Sequence, residues 1–142
     1  MKKIWIIVVV LLSALAWASD KQESIESLKA RADLAQPRDR VELFTRVAER
    51  QLDSLDQAYN GGTVREAQAA LADVVNYGVK AAKISSETGK RMKQTEIAMR
   101  KITGRLEAIR RILEVDDRPP LADAIQKLET ARSELLNRMF RK

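Results

Sequence analysis

The reactive side chains available to this 142-residue chain are carboxylates, amines, guanidinium groups and hydroxyls, because it contains no His and no Cys. That rules out a Ser-His-Asp or Cys-His nucleophile pair, a thiolate or imidazole metal site, and a disulfide framework. The acid–base candidates left are Glu87, Glu96, Glu107, Glu114 and the adjacent Asp116 and Asp117. Helical di-metal centres rely on Glu-x-x-His pairs, which are absent. Paired carboxylates that cleave a glycosidic bond need a cleft, commonly walled by aromatics, and both Trp residues (Trp5 and Trp17) lie in an N-terminal apolar segment. The sequence therefore predicts a non-enzymatic protein with no catalytic residue, no metal ligand and no cofactor.

Charge is the more informative chemistry. The chain carries 26 basic and 20 acidic side chains, net +6. The excess is concentrated: of the residues from 80 to 113, Lys80, Lys83, Lys90, Arg91, Lys93, Arg100, Lys101, Arg105, Arg110 and Arg111 are basic, and only Glu87, Glu96 and Glu107 are acidic. On a helix, Lys90, Lys93, Arg100, Lys101 and Arg111 fall within an arc of roughly 100°. Such a stripe reads either as a solvated outer face, its Lys and Arg being good helix formers, or as a surface for an anionic partner: lipid headgroups, lipopolysaccharide phosphates or another polyanion. Specific nucleic-acid recognition is not expected, since no aromatic interleaves the stripe to stack on bases. Opposite the stripe run Met99, Ile102, Leu106, Ile109 and Leu113, an apolar seam that could take a partner helix or a second copy of the chain. Glu107 is expected to pair with Arg111 at i,i+4.

The elements that position these residues begin after an address. Residues 1–18 read as a cleavable signal peptide, with Lys2 and Lys3 as the basic n-region, an apolar run from Ile4 to Leu15, and Ala16-Trp17-Ala18 as a small-x-small cleavage site. The apolar stretch is shorter than the roughly 20 residues of a spanning helix. A periplasmic or secreted product with one domain over residues 19–142 is predicted. Losing the leader removes Lys2 and Lys3 and leaves 24 basic against 20 acidic side chains, with Phe44, Tyr59, Tyr77 and Phe140 as the aromatics. Such a lean, Ala-rich chain suits close helix packing better than a sandwich or barrel.

The periodicity is helical throughout, and the predicted class is all-α: helical hairpins or a coiled-coil-like bundle. A first helix is expected over 20–35, capped by Ser19 or Asp20. A second spans 39–59 with Asp39 as N-cap and Asn60-Gly61-Gly62 as its stop, Gly supplying the left-handed C-terminal conformation. Thr63 to Glu66 forms a capping box. From Val64 to Leu113 the apolar positions step by 3 and 4 without a slip, which predicts one long central helix, continuous or kinked, over 63–114 and roughly 75 Å long. A turn at Ser85–Gly89 is the competing arrangement, since the seam there is polar and Gly costs about 1 kcal/mol inside a helix. A last helix is expected over 120–140. A continuous rod would leave apolar edges open, which argues for a homodimer or a protein partner.

Gly62-Thr63-Val64-Arg65-Glu66-Ala67, preceded by Ala58-Tyr59 and followed by Leu71, resembles the turn and second helix of a single tetratricopeptide repeat over residues 39–83. Val64 stands where that family usually has an aromatic, and no second copy of the repeat occurs, whereas solenoids need about three. The resemblance implies a peptide-binding scaffold without catalysis. In gross character the chain is also similar to small exported helical chaperones of the envelope-stress type, but it lacks their Leu-Thr-x-x-Gln motif.

Overall fold

Residues 23–141 are described by the computed structural model, and they form five α-helices and one short 3-10 turn, with no strand among the described residues. The proposed signal peptide and its cleavage site lie outside the described residues. The helices are α1 (Ile25–Leu34), α2 (Pro37–Gly61), α3 (Val64–Thr88), α4 (Met92–Ile112) and α5 (Pro119–Phe140), with the 3-10 turn at Val115–Asp117. No described helix is long and apolar enough to cross a membrane.

Local chemistry sets the boundaries. The α1 cap is Ser24, whose Oγ accepts the Ser27 N–H at 3.1 Å; the caps expected at Ser19 or Asp20 lie outside the described residues. Helix α2 starts at Pro37, whose missing N–H costs nothing in a first turn. Gln36 precedes it as cap, and Asp39 sits inside the first turn instead. Between α2 and α3 the chain turns on Gly62, which is extended at φ −107°, not left-handed as expected. Glycine is needed here for space: a Cβ would stand 3.0 Å from the Ala58 Cα. The Thr63 half of the capping box forms, its hydroxyl accepting the Glu66 N–H at 3.2 Å.

The expected continuous helix over 63–114 is broken. Gly89 is left-handed at φ 71°, and Arg91 is left-handed at φ 55°. Two such residues around Lys90 reverse the chain, and a non-glycine residue in this region carries local strain. The reversal is tied down by Ser85, whose hydroxyl donates to the Lys90 carbonyl at 2.6 Å. The Thr88 hydroxyl meanwhile accepts the Lys90 N–H at 3.3 Å. Beyond the turn, α4 runs back along α3: a Cβ on Gly78 would lie 3.6 Å from the Met99 sulfur. The two stripes that shared one phase in sequence thus face one core from two antiparallel helices.

Ion pairs between helices give the remaining order. Arg91, just before α4, and Arg105 within it reach Glu42 and Asp53 of α2, so these helices run parallel. Arg132 of α5 meets Glu96 of α4, and Arg138 donates to the Ser86 carbonyl of α3, so α5 is antiparallel to α4 and parallel to α3. The core is built from Leu52, Leu55, Leu71, Val74, Met99, Ile102, Leu106, Leu121 and Leu128. Gly78 is part of its geometry, because a Cβ there would sit 2.8 Å from a methyl of the fully buried Leu128. Helix α1 lies outside this four-helix unit on α2 and α3, anchored by buried Leu28 and Ala32. Ala32 joins Phe44 and Ala81 in a second, smaller apolar cluster.

Candidate functional site

The outer face of α4 is the candidate surface. Its exposed residues are Lys93, Gln94, Arg100, Lys101, Gly104, Arg105, Ala108, Arg111 and Ile112: five cations and no carboxylate. From Lys93 to Arg111 the face extends about 27 Å at 1.5 Å per residue. Gly104 and Ala108 keep its middle low in relief, with nothing within 4 Å of where a Gly104 Cβ would stand.

Of the two carboxylates of α4, Glu96 is buried and used inside the chain, while Glu107 lies half-buried at the edge of this face and pairs with Arg110 on the same helix. Glu96 is only 8% exposed. It accepts from Arg132 Nε at 3.0 Å and lies 3.5 Å from Arg100. Arg132 is held charged chiefly by that Glu96 hydrogen bond, and the Glu129 carboxylate at 3.0 Å adds to it, so its pKa stands above the ordinary guanidinium value. Glu107 takes two hydrogen bonds from Arg110, at 3.2 and 2.9 Å, which replaces the expected partner Arg111 with the residue one position nearer. Among the described residues, Lys93, Lys101 and Arg111 have no carboxylate within ion-pairing distance, while Arg105 pairs with the exposed Asp53 at 2.8 Å.

Four of the five stripe residues therefore lie together on one exposed helix face, and the fifth, Lys90, lies in the α3–α4 turn next to it. The opposite seam is corrected. Met99, Ile102, Leu106 and Ile109 are 1%, 1%, 0% and 6% exposed, and Leu113 is half-buried. They form this chain's own interior and offer nothing to a partner.

A contrasting cation site lies between α1 and α3. Asp73 accepts from Lys29 Nζ at 2.7 Å and from the buried Gln51 amide at 2.6 Å. Burial works against the Lys29 charge, but the Asp73 hydrogen bond and carboxylate outweigh it and leave the ammonium pKa raised. Lys29 and Lys80 also sit 5.3 and 5.1 Å from the centre of the Tyr77 ring. These lysines brace the fold, whereas those of α4 face solvent.

One further surface escaped the sequence reading: a groove of about 1000 Å³ between α3 and α5. Leu71, Ala72, Val75 and Val79 form one wall, and Ala124 and Ala131 the apolar part of the other. Its rim carries Asp123, Lys127 and Glu134. Among the described residues no group of three or more acidic side chains is arranged to hold a metal ion. No protein-family model, curated protein or solved structure matches this chain.

Proposed function

We propose that this is an exported, non-enzymatic helical bundle of the periplasm or extracellular space that binds anionic surfaces through the outer face of α4. The observation that carries this reading is the composition of that face: five exposed cations, no fully exposed carboxylate contributed by α4, and both α4 glutamates engaged by arginines. A solvated helix face ordinarily mixes signs, because i,i+4 pairs of opposite charge support the helix and limit repulsion. Here Arg100 has such a partner in Glu96, but Lys93, Lys101 and Arg111 have none among the described residues. Each Lys or Arg brought to an anionic bilayer contributes about 1 kcal/mol, so Lys93, Lys101 and Arg111 together supply about 3 kcal/mol, roughly a hundredfold in affinity. The low centre at Gly104 and Ala108 lets an extended surface approach all of them at once.

The test is co-sedimentation of the full chain with phosphatidylglycerol vesicles, lipopolysaccharide micelles and neutral phosphatidylcholine vesicles. Binding to an anionic sample that weakens steeply as salt is raised supports the reading, and the two anionic samples separate glycerophospholipid from lipopolysaccharide phosphate. Equal binding to neutral vesicles, or none to either anionic sample, overturns it.

A second reading is protein–protein interaction or self-association, which the buried seam no longer serves. The α3–α5 groove favours it, being an open and largely apolar surface.

A further inference from the structure

The α5 wall of the groove carries its charges in a definite order. Asp123, Lys127, Glu134 and Arg138 are all exposed, and at 100° per residue they fall within an arc of about 60°. Their signs alternate along the helix, and their spacings are four, seven and four residues. No ion pair within the described residues uses any of them. Arg138 donates Nε to the Ser86 carbonyl at 3.2 Å and remains exposed.

Read backwards, this pattern is its own complement. We infer that the α3–α5 face is the interface of a two-fold dimer of this chain, in which two α5 helices lie antiparallel and oppose Asp123 to the partner's Arg138 and Lys127 to the partner's Glu134. The inference rests on the reading that the groove is an interaction surface, and it names the occupant.

The same register satisfies the rest of the face. Both charge pairings centre on the step between Thr130 and Ala131, where the side chains are small and allow close approach. The contacts of Gly78 with Leu128 and of the Ser86 carbonyl with Arg138 set α3 and α5 level with each other, so that step lies level with the α3 turn from Gly78 to Ala81. Val79, half-buried in the groove wall, thus comes close to the two-fold centre, and Val75 lies one turn before it. An isologous interface meets itself at its axis, and an apolar axis flanked by reciprocal charges is self-complementary. A parallel alignment in the same register would set Asp123 against Asp and Lys127 against Lys. A second copy satisfies the reversed order pair by pair.

The test is sedimentation velocity of the full chain over a wide concentration range, with circular dichroism to confirm that each variant is folded. All the substitutions are on exposed α5 positions. Wild type should be dimeric. Lys127→Glu alone, and Glu134→Lys alone, should each weaken the dimer at least about tenfold, because the symmetry places like charges opposite one another twice. Mixing the two single variants should restore a dimer, since each supplies the charge the other lacks, and the double variant K127E/E134K should dimerise by itself. A wild-type dimer indifferent to both substitutions, or a mixture that stays monomeric, overturns the inference.

A monomeric wild type also overturns it. Fluorescence of 1-anilinonaphthalene-8-sulfonate then decides the underlying reading. Dye binding lost on Val79→Gln leaves the groove an interaction surface for another partner, whereas no binding removes that reading as well.

Discussion

The outer faces of α4 and α5 are both exposed sides of amphipathic helices of similar length, yet they are charged in opposite styles. The α4 face carries one sign, its carboxylates having been drawn into Arg132, Arg100 and Arg110. Along α5 the signs alternate from Asp123 to Arg138. A face of one sign repels its own copy and needs a polyanion to neutralise it. An alternating face can satisfy a second copy of itself and has little net field to draw a charged surface. Charge arrangement, more than charge count, separates the two roles.

The largest expected effect comes from breaking the single sign of α4. The triple variant Lys93→Glu, Lys101→Glu, Arg111→Glu should lower affinity for anionic vesicles by at least about a hundredfold and leave the helical circular dichroism unchanged. Lys127→Glu on α5 should move that affinity by less than about threefold, because it changes one charge on a mixed face. Comparable losses from both variants would show that net charge alone governs binding.

Two mid-helix glycines sharpen the contrast between interior and surface. Gly78→Ala forces its Cβ to within 2.8 Å of a Leu128 methyl, in a side chain that is 0% exposed. It should destabilise the bundle by about 1 kcal/mol in chemical denaturation, the clash outweighing the helix-propensity gain of alanine. Gly104→Ala meets nothing within 4 Å and should stabilise by about 0.5–1 kcal/mol. If binding needs the low relief of α4, Gly104→Trp should weaken vesicle binding without lowering stability below that of wild type by more than about 1 kcal/mol.

The smallest effect concerns pH. Lys29 is raised because Asp73 outweighs the cost of its burial, and Tyr59 and Tyr77 are raised chiefly by burial. Each group holds its proton more firmly in the folded chain, so its contribution is fully present below the ordinary pKa near 10 and is lost as pH rises through the folded value. Thermal stability should therefore fall above about pH 10. In Asp73→Asn the Lys29 share of that slope should disappear, which melting curves across the alkaline range would show.

Much of this was legible from residue spacing. The Thr63 cap, the stripes of α2 and α5, and the grouping of cations on α4 all follow from local chemistry that acts within a turn or two. The break at Gly89 did not follow, for a physical reason. Apolar spacing reports which side of each helix is buried, and α3 and α4 bury theirs against one core from opposite directions. Their stripes keep a common phase even though the chain reverses between them. What marks the reversal is the polar seam at Ser85 and Thr88 beside Gly89, whose hydroxyls hold the Lys90 backbone. The seam from Met99 to Leu113 reads as open to a partner only along a straight rod. Folding back encloses it. The α3–α5 groove was hidden for the same reason, since it exists only once two helices distant in sequence lie side by side.

The most direct test of the single-sign face is to map where an anionic surface touches the chain. Backbone amide chemical shifts of the isotope-labelled protein should be followed as phosphatidylglycerol-containing bicelles are added at low salt. Perturbation confined to the exposed side of α4, from Lys93 to Ile112, together with the adjoining Lys90 turn, is the predicted result. Perturbation centred on the α3–α5 face, or spread evenly over every basic residue of the bundle, would contradict it.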